Sequence, residues 1–308
     1  MTQKAWRSSK LRLSRVVHSL CMRGLWLHAL IVLCSVPLLG QAEWPKPNWE
    51  KVDTERCRTS GKAVIAPVGK YEVQLDPVSD PTNEVVCRSL LVDVAGRKTS
   101  LLKDWDVSIH QGTGEDLFGD GNPSLVLEGY SGGAHCCYTY EIVSLGETPV
   151  ILRPIQNESP FFFFKDPASK QFRILTSDGA FDYFDGMCHA CAPFPRVVLQ
   201  VDSSGLHDVS ANFVEQYDSE IALARAKIAE GDIQKFILSD FEDAKKVVLE
   251  IVFSYLYSGR ETEAWQTLGE MWPAGDRERI KALIVKTRAN GILSKLAKTG
   301  PISVANPR

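Results

Sequence analysis

Apolar and polar residues alternate over short segments between about residues 63 and 210, and glycine, proline, aspartate and asparagine separate these segments. Alternation of this kind, bounded by turn-forming residues, predicts β-strands. The predicted strands cover residues 70–75, 86–94, 104–109, 124–128, 137–145, 149–155, 161–164, 171–176 and 195–201. The four phenylalanines at 161–164 predict a fully buried strand, because four exposed aromatic residues on a sheet edge would promote aggregation.

A strand–turn–strand pattern recurs in this region, over 86–102, 138–152 and 196–209. The turns fall near residues 95, 147 and 204, so the spacing is about fifty residues, the size of a four-stranded propeller blade. The pattern therefore predicts a propeller-like, antiparallel β-meander domain over 63–210. Any β-rich domain contains some hairpins of this kind, so closure into a propeller is left open.

Beyond residue 211 the apolar positions recur at helical spacing. Helices are predicted over 212–229, 241–258 and 261–271, and a further helix runs from Asp276 to Asn290–Gly291. The predicted fold class is α+β, an antiparallel β-meander, propeller-like domain followed by a small all-α helical domain over 211–298. Two prolines predict an extended lead-in over 43–62, and the tail at 299–308 is expected to fray.

One stretch of the helical region, Tyr-Leu-Tyr-Ser-Gly-Arg-Glu-Thr-Glu-Ala-Trp at 255–265, resembles the turn of a tetratricopeptide hairpin. Gly259 stands at the close approach of the two helices, and Ala264 stands at the small packing position. Gly259 is also expected to end the helix before it, since glycine tolerates the left-handed conformation. A single such turn implies one helical hairpin at the C-terminal end, not an array of repeats.

Residues 22–42 have the pattern of a secretory signal, with one arginine, an apolar core, and small residues at Gly40 and Ala42 where a signal peptidase can cut. The core is short for a transmembrane helix and polar residues follow it, so cleavage is favoured over anchoring. Residues 1–42 are therefore assigned as a signal peptide, with Met22 as a candidate for the true start. We expect export to the periplasm or the extracellular space, with no stable membrane insertion after cleavage.

Removal of residues 1–42 takes away six lysines and arginines and no acidic residue, which changes the formal net charge from −3 to −9. This acidic balance argues against nucleic acid or an anionic membrane as the partner. Six of the eight cysteines remain, and an even number in an exported protein predicts disulfides. They are Cys57, Cys87, Cys136, Cys137, Cys188 and Cys191, and the sequence leaves their pairing open.

An acidic glycine loop from Asp116 to Ser124 leads into an apolar strand. It resembles the calcium loop of the FG-GAP or VCBS repeats in integrin-like β-propellers. The resemblance implies Ca2+ as a cofactor, with ligands at Asp116 and Asp120 and with Asn122 leading into the strand. Phe118 and Ser124 stand where the family has two further oxygen ligands, and calcium prefers about 6–8 oxygens. The loop is therefore either a degenerate calcium site or a turn that keeps the shape without the ion.

The segment Tyr-Ser-Gly-Gly-Ala-His-Cys-Cys at 130–137 follows. Its position after an acidic glycine loop and a strand is similar to that in uncharacterised exported bacterial proteins. The two glycines predict a sharp turn that carries Tyr130 and His135, two candidates for a binding loop, and His135 also fits a hydrogen-bonded structural role. Cys136 and Cys137 point to opposite faces of a strand, so one faces the core and one a partner cysteine, or the two form a vicinal bridge.

The motif Cys188-His-Ala-Cys191 has the C-x-x-C spacing of disulfide oxidoreductases. In those enzymes a helix N-terminus and positive groups stabilise the reactive thiolate. Here the motif leads into a predicted strand and Asp182 and Asp185 precede it, so a structural disulfide is favoured. Zinc is the other alternative, and its ligands would come from Cys188, His189, Cys191, His135, Cys136 and Cys137.

The sequence contains no hydrolase elbow, metalloprotease helix or phosphate loop, so no catalytic residue is assigned. We expect a non-enzymatic binding protein that recognises a protein or a glycan outside the cytoplasm. Its contact surface comprises the loops at 112–122, 129–135 and 178–192, and its candidate contact residues are Tyr130, His135, Asp182 and Tyr183. The alternative is an exported enzyme, either a thiol–disulfide oxidoreductase that uses Cys188 and Cys191 or a hydrolase that uses the acidic loop at 178–185.

Overall fold

The computed structural model describes residues 42–45, 57–60, 62–81, 84–133, 137–228 and 242–302, and all of these belong to one compact unit. The fold class is α+β, as predicted, because three antiparallel sheets are followed in the chain by a group of helices. The predicted signal peptide, apart from Ala42, and the lead-in residues 46–56 lie outside the described residues, as do His135 and Cys136. In the described parts of the chain, no helix combines the length and the apolar character that a membrane span requires.

The first sheet is a four-stranded antiparallel meander in the order β1-β2-β3-β4. Its strands are β1 (Val64–Val68), β2 (Tyr71–Ser79), β3 (Val85–Val92) and β4 (Lys98–Asp104). Tyr71, Val73 and Leu75, at alternate positions in the first half of β2, are buried. Val73 pairs with the buried Leu91 of β3, so one face of this sheet supplies apolar side chains to a core.

The second sheet has six strands, in the order β14-β8-β7-β6-β5, with β9 also paired to β7. They are β5 (Asp106–Ile109), β6 (Ser124–Tyr130), β7 (Tyr138–Ser144), β8 (Val150–Leu152), β9 (Ile155–Asn157) and β14 (Pro301–Ile302). Residues Leu125, Val126 and Leu127 of β6 are each fully buried, because apolar layers cover both faces of this strand.

The prediction of a frayed tail is wrong for residues 299–302. Pro301 pairs with Leu152 and Ile302 pairs with Ile151, so the strand β14 extends the second sheet. Thr299 is buried, and its Oγ1 accepts a hydrogen bond of 2.8 Å from the backbone N–H of Leu206. This segment is ordered by contacts with strands that lie far earlier in the chain.

The third sheet is another four-stranded meander, in the order β10-β11-β12-β13. Its strands are β10 (Phe162–Lys165), β11 (Phe172–Ser177), β12 (Arg196–Asp202) and β13 (Gly205–Asp208). The prediction of a fully buried phenylalanine strand is wrong, since only Phe161 is completely buried and Phe162, Phe163 and Phe164 are half-buried. These three residues lie in β10, which forms the edge of its sheet.

The helices are α1 (Cys57–Ser60), α2 (Val214–Lys227), α3 (Glu242–Tyr257), α4 (Glu261–Met271), α5 (Arg277–Arg288) and α6 (Ile292–Lys295). The predicted bounds of α4 are confirmed. Gly259 has φ of +81°, which confirms its role in ending α3. The prediction of an extended lead-in is wrong at residues 57–60, which form a helical turn. The backbone N–H of Arg58 donates to Asp106 Oδ1 at 3.0 Å and helps to hold this turn.

Two apolar clusters form the interior. Leu125, Leu127 and Val143 of the second sheet contribute to the cluster that the first sheet covers. Val126 and Ile142 belong to the other cluster, together with the third sheet and the helices. The predicted boundary at 210–211 therefore marks the change from strands to helices, and one core extends across it.

Candidate functional site

The segment between β11 and β12, residues 178–195, brings together the acidic loop, the C-x-x-C motif and a cleft. Asp178 begins a short 3-10 turn, Gly179–Phe181, by accepting a hydrogen bond from the N–H of Ala180 at 3.2 Å. Phe181 and Phe184 are buried, and their rings anchor the loop to the core. Tyr183 and Asp185 have φ of 53° and 52°, a region that side chains other than glycine adopt uncommonly, so packing fixes the path of this loop.

Asp178 is fully buried and links the loop to the helices. Its carboxylate accepts a hydrogen bond of 2.6 Å from the hydroxyl of Tyr257 and one of 3.1 Å from the N–H of Ile292. Burial raises the pKa of Asp178, and these hydrogen bonds, with that of Tyr257 the strongest, oppose the shift. The arrangement gives this carboxylate a structural role.

The other two acids of the loop also have internal partners. Asp182 Oδ1 lies 2.8 Å from Nδ1 of His189, and Asp185 accepts two hydrogen bonds, of 2.5 and 2.9 Å, from Arg279. The sequence predicts that the negative charges of these two acids disfavour a thiolate at the C-x-x-C motif. In the structure the guanidinium of Arg279 compensates the charge of Asp185, and the imidazole of His189 binds Asp182. Tyr183, a predicted contact residue, is 52 % exposed.

Cys188 and Cys191 form a disulfide, which confirms the expectation of disulfide bonding for this pair. Cys188 is exposed and Cys191 is half-buried. The N–H of Cys191 lies 3.2 Å from Sγ of Cys188, and the N–H of Ala192 donates to the carbonyl of Cys188 at 2.9 Å. The first sulfur is therefore at the surface, at the start of the short turn His189–Cys191.

The second disulfide, Cys57–Cys87, has a different setting, because both of its cysteines are fully buried. Its cysteines are 30 positions apart in sequence, whereas Cys188 and Cys191 are 3 apart. In the chain-entropy model, the longer loop gives about 4 kcal/mol of stabilisation and the shorter loop about 2 kcal/mol. The buried pair suits a structural staple, and the exposed pair contributes less to the fold.

A cleft of about 410 Å³ adjoins the C-x-x-C motif. Residues 192–196 form one wall, and α2 and α3 form the other. The buried side chains of Ala192, Ala224 and Phe253 contribute apolar surface to the lining, whereas Leu223 is 50 % exposed. The cleft therefore has an apolar floor of buried side chains, and Leu223 supplies an apolar side chain that solvent reaches.

Charged groups of both signs line this cleft. Nε of Arg196 donates to Glu220 at 2.5 Å, and the hydroxyl of Ser254 donates to the same carboxylate at 3.3 Å. Burial raises the pKa of Glu250, and the positive charges of Lys227 and Lys246 oppose the shift. Nζ of Lys246 also donates to the carbonyl of Ala190 at 3.1 Å, which places an ammonium group beside the C-x-x-C turn.

The acidic glycine loop forms a turn that holds itself together. Asp116 accepts hydrogen bonds from the N–H groups of Asp120 and Gly121, at 3.1 and 3.0 Å. Asp120 accepts one of 2.9 Å from the N–H of Asn122 and one of 2.7 Å from the hydroxyl of Ser144. The carboxylate oxygens that the resemblance assigns to calcium thus serve backbone and side-chain donors.

One position of this loop differs from a calcium site in the chemistry of its side chain. Phe118, at the third position, is buried and has no oxygen in its side chain. Within the described residues, no group of three or more His, Cys, Asp or Glu side chains is placed to hold a metal ion. The geometry favours the turn that keeps the shape of the family loop without its ion.

The glycine turn after β6 is closed by its own side chains. The hydroxyl of Tyr130 donates to the carbonyl of Gly133, and the Tyr130 ring lies 6.0 Å from that of Trp105 and 5.5 Å from that of Tyr138. Gly132 has φ of +84°, the backbone conformation that a glycine turn uses, and residues 134–136 of the predicted turn lie outside the described residues. Tyr130, a predicted contact residue, is half-buried and stabilises this turn.

The sequence reasoning missed a buried polar group in the second sheet. The hydroxyl of Tyr140 donates to Glu128 at 2.6 Å, and Nε2 of His110 lies 3.5 Å from the same carboxylate. The N–H of Phe161 donates to the Tyr140 oxygen at 2.9 Å, and burial followed by the charge of Glu128 raises the Tyr140 pKa well above its usual value. The one feature of the sequence that could have indicated this buried polar group is Glu128, which lies within an otherwise apolar strand. This network joins strands inside the core.

Comparison of the chain with protein-family models, with curated proteins and with solved structures found no match.

Proposed function

We propose that this chain is an exported, non-enzymatic binding protein that recognises a peptide segment of a protein partner in the cleft beside residues 178–192. The cleft between residues 192–196 and the helices α2 and α3 carries this proposal. Its apolar floor suits one buried side chain of a ligand, and the charged groups around it suit polar main-chain and side-chain groups. A peptide supplies both kinds of group along a short length, whereas a glycan would leave the apolar floor poorly used.

Export to the periplasm or the extracellular space is part of the proposal. It is supported by the signal pattern in residues 1–42 and by two disulfides, which persist in oxidising compartments. The N-terminal sequence of the protein recovered from outside the cytoplasm tests it, and cleavage after Ala42 is the expected result. An uncleaved chain retained in the cytoplasm would contradict this part of the proposal.

The propeller-like architecture and the relation to FG-GAP repeats also remain proposals. They are supported by three successive antiparallel units, residues 64–104, 106–157 and 162–208, each close to the size of a propeller blade. Calcium binding by Asp116, Asp120 and Asn122 stays a prediction that the loop geometry does not favour. An experimental structure at high calcium concentration tests both points.

The peptide site is tested with two matched surface variants. Leu223→Asp places a charge on the wall of the cleft, and Val285→Asp places one on α5 at a side chain of similar exposure, 52 %, that does not line the cleft. A random peptide library and a glycan array are screened against both variants and the unmodified protein. Selected peptides should bind the unmodified protein and Val285→Asp but lose affinity for Leu223→Asp, by about tenfold or more. Glycan binding, or equal peptide binding by the two variants, would contradict the proposal.

The alternative of a hydrolase has little support in the loop at 178–185. Its three carboxylates bind Tyr257, His189 and Arg279, so each already has an internal structural partner. The oxidoreductase alternative has more support, because Cys188 is exposed and Lys246 lies beside the C-x-x-C turn.

A further inference from the structure

We infer that the Cys188–Cys191 disulfide is a thiol-exchange site, able to accept two electrons from a dithiol of a partner protein. This activity goes beyond the non-enzymatic binding proposed above and does not depend on it. The first observation is the contrast between the two disulfides. Cys188 is exposed to an incoming thiolate, whereas both cysteines of the Cys57–Cys87 pair are fully buried. Exchange requires direct access of the attacking sulfur to a disulfide sulfur.

The second observation is the charge around the motif. Asp185 binds the guanidinium of Arg279 through two hydrogen bonds, which compensates its charge, and Asp182 lies 2.8 Å from Nδ1 of His189. Lys246 places its ammonium group 3.1 Å from the carbonyl of Ala190, between the two cysteines in sequence. A positive group at this position favours the thiolate form of a released cysteine.

The third observation is a donor already directed at the sulfur of Cys188. The N–H of Cys191 lies 3.2 Å from Sγ of Cys188 in the disulfide form. After reduction, the same N–H is placed to donate to the Cys188 thiolate, and a hydrogen bond to the charged form stabilises it. This donor belongs to the backbone of the turn His189–Cys191, so the N–H group needs no rearrangement to reach the sulfur.

The exchange has two steps. A partner thiolate attacks Sγ of Cys188, a bond forms between these sulfurs, the Cys188–Cys191 bond breaks, and Cys191 leaves as a thiolate that takes a proton from solvent. A second thiolate of the partner then attacks the partner sulfur of the mixed disulfide and releases Cys188 as a thiolate. The partner dithiol is oxidised to a disulfide, and Cys188 and Cys191 are reduced to thiols, so two electrons are transferred once per molecule.

The cleft is placed to bring such a partner to the exposed sulfur. Residues 192–196, which form one of its walls, follow Cys191 directly in the chain. A peptide in the cleft therefore lies next to the C-x-x-C turn, and only this placement of the partner rests on the proposed function.

A redox titration of the unmodified protein gives the first test. The protein is equilibrated in buffers of reduced and oxidised dithiothreitol, free thiols are alkylated, and peptide mapping by mass spectrometry locates them. The Cys188–Cys191 pair should be reduced at a dithiothreitol ratio at least about tenfold lower than Cys57–Cys87, because exposed disulfides have higher reduction potentials than buried structural ones, and stabilisation of the Cys188 thiolate raises the potential further. Reduction of both pairs at the same ratio would overturn the inference.

Two single variants give the second test, with oxidised glutathione as the probe. Cys191→Ser leaves the Cys188 thiol, and Cys188→Ser leaves the Cys191 thiol. Cys191→Ser should form its mixed disulfide about tenfold faster, because Cys188 is the more exposed sulfur and receives the hydrogen bond. Equal rates, or a faster reaction at Cys191, would overturn the inference.

Charge is tested in the Cys191→Ser background. Addition of Lys246→Met should slow mixed-disulfide formation several-fold, whereas addition of the exposed-surface change Lys286→Met should not. Equal rates in these two variants would remove the charge argument and overturn the inference in its present form. Glutathione is too small to need the cleft, so its exchange rate reports on the sulfur site alone. Equal peptide binding by Leu223→Asp and Val285→Asp, with the expected exchange rates, would contradict only the proposed peptide site. Loss of peptide binding in Leu223→Asp, with equal exchange rates in the two lysine variants, would contradict only the exchange site.

Discussion

The hydroxyl of Tyr257 donates a hydrogen bond of 2.6 Å to the buried carboxylate of Asp178, and this contact joins α3 to the loop that carries the C-x-x-C motif. The two residues are 79 positions apart in the chain. Ile292, at the start of α6, donates its N–H to the same carboxylate. One side chain of the loop thus fixes the position of two helices, and one of these, α3, also lines the cleft.

The first prediction concerns this hydrogen bond. Tyr257→Phe should lower the free energy of unfolding by about 1.5–3 kcal/mol, because a hydrogen bond to a charged and buried group is lost. Chemical denaturation measures the change. Tyr183→Phe is the control, since Tyr183 is 52 % exposed and its variant should differ from the unmodified protein by less than about 0.5 kcal/mol. Equal effects of the two variants would show that Asp178 does not depend on Tyr257.

The second prediction concerns pH. Burial raises the pKa of Asp178 above its ordinary value of 3.8, so the folded protein holds this proton more tightly than the unfolded chain does. The resulting stability is complete below pH 3.8 and is lost as the pH rises through the folded-state pKa. The stability of the unmodified protein relative to Asp178→Asn should therefore fall as the pH increases over this range.

Asp93 provides the control, because its pKa is shifted in the direction opposite to that of Asp178. A backbone hydrogen bond from Arg97 is the main cause that lowers the pKa of Asp93. Its contribution is present above pH 3.8 and is lost as the pH falls through the folded-state pKa. The stability of the unmodified protein relative to Asp178→Asn and relative to Asp93→Asn, measured across the same pH series, should change with slopes of opposite sign. Slopes of the same sign would contradict the assignment for Asp178.

The third prediction concerns the turn before α6. A Cβ atom on Gly291 would lie 2.0 Å from Oδ2 of Asp178, so Gly291→Ala should lower the free energy of unfolding by about 1–3 kcal/mol through overpacking. Gly269 lies inside α4 with open space around it, so Gly269→Ala should raise stability by about 0.5–1 kcal/mol. Thermal and chemical unfolding should show these opposite shifts, and a stable Gly291→Ala variant would mean that the Asp178 contact yields easily.

The fourth prediction separates the two disulfides by stability. Replacement of Cys57 and Cys87 by serine should cost about 2–5 kcal/mol, because a buried staple over a long loop is removed. Replacement of Cys188 and Cys191 by serine should cost about 2 kcal/mol or less, because that loop is short. Unfolding without reductant measures both. A larger loss at the exposed pair would assign it the structural role instead.

The fifth prediction concerns the acidic glycine loop. Asp116→Ala removes the acceptor of two backbone N–H groups and should lower stability by about 1–2 kcal/mol in calcium-free buffer. Millimolar calcium should leave the unfolding temperature of the unmodified protein unchanged, because the carboxylates already serve internal donors. A rise with calcium that Asp116→Ala abolishes would establish the ion site that the family resemblance implies.

Local patterns in the sequence were sufficient to predict many of the strands and turns. They were not sufficient to predict which distant strands pair. Turn residues near 95, 147 and 204 were predicted because each hairpin is coded within a few residues, and the structure has β-hairpins at these places. The pairing of β14 with β8 was missed, because its two residues carry no strong strand pattern and their partners lie far away in sequence.

The candidate site was predictable in part for the same reason. The C-x-x-C spacing is local, so the Cys188–Cys191 pair could be proposed from the sequence. The burial of Asp178 could not be predicted, because α3 and α6, which cover this residue, follow much later in the chain. The cleft also depends on how α2 and α3 pack against residues 192–196. Hydrophobic periodicity predicts such helices but not the strand ends that they meet.

The pairing of β14 with β8 has a consequence for the order in which the protein can fold. The strand β8 can pair with Pro301 and Ile302 only after nearly the whole described chain has been synthesised. The first and third sheets close with neighbours in sequence and can form early. The second sheet, in contrast, reaches its full width last, so during synthesis the molecule passes through states in which β8 is an uncovered edge strand.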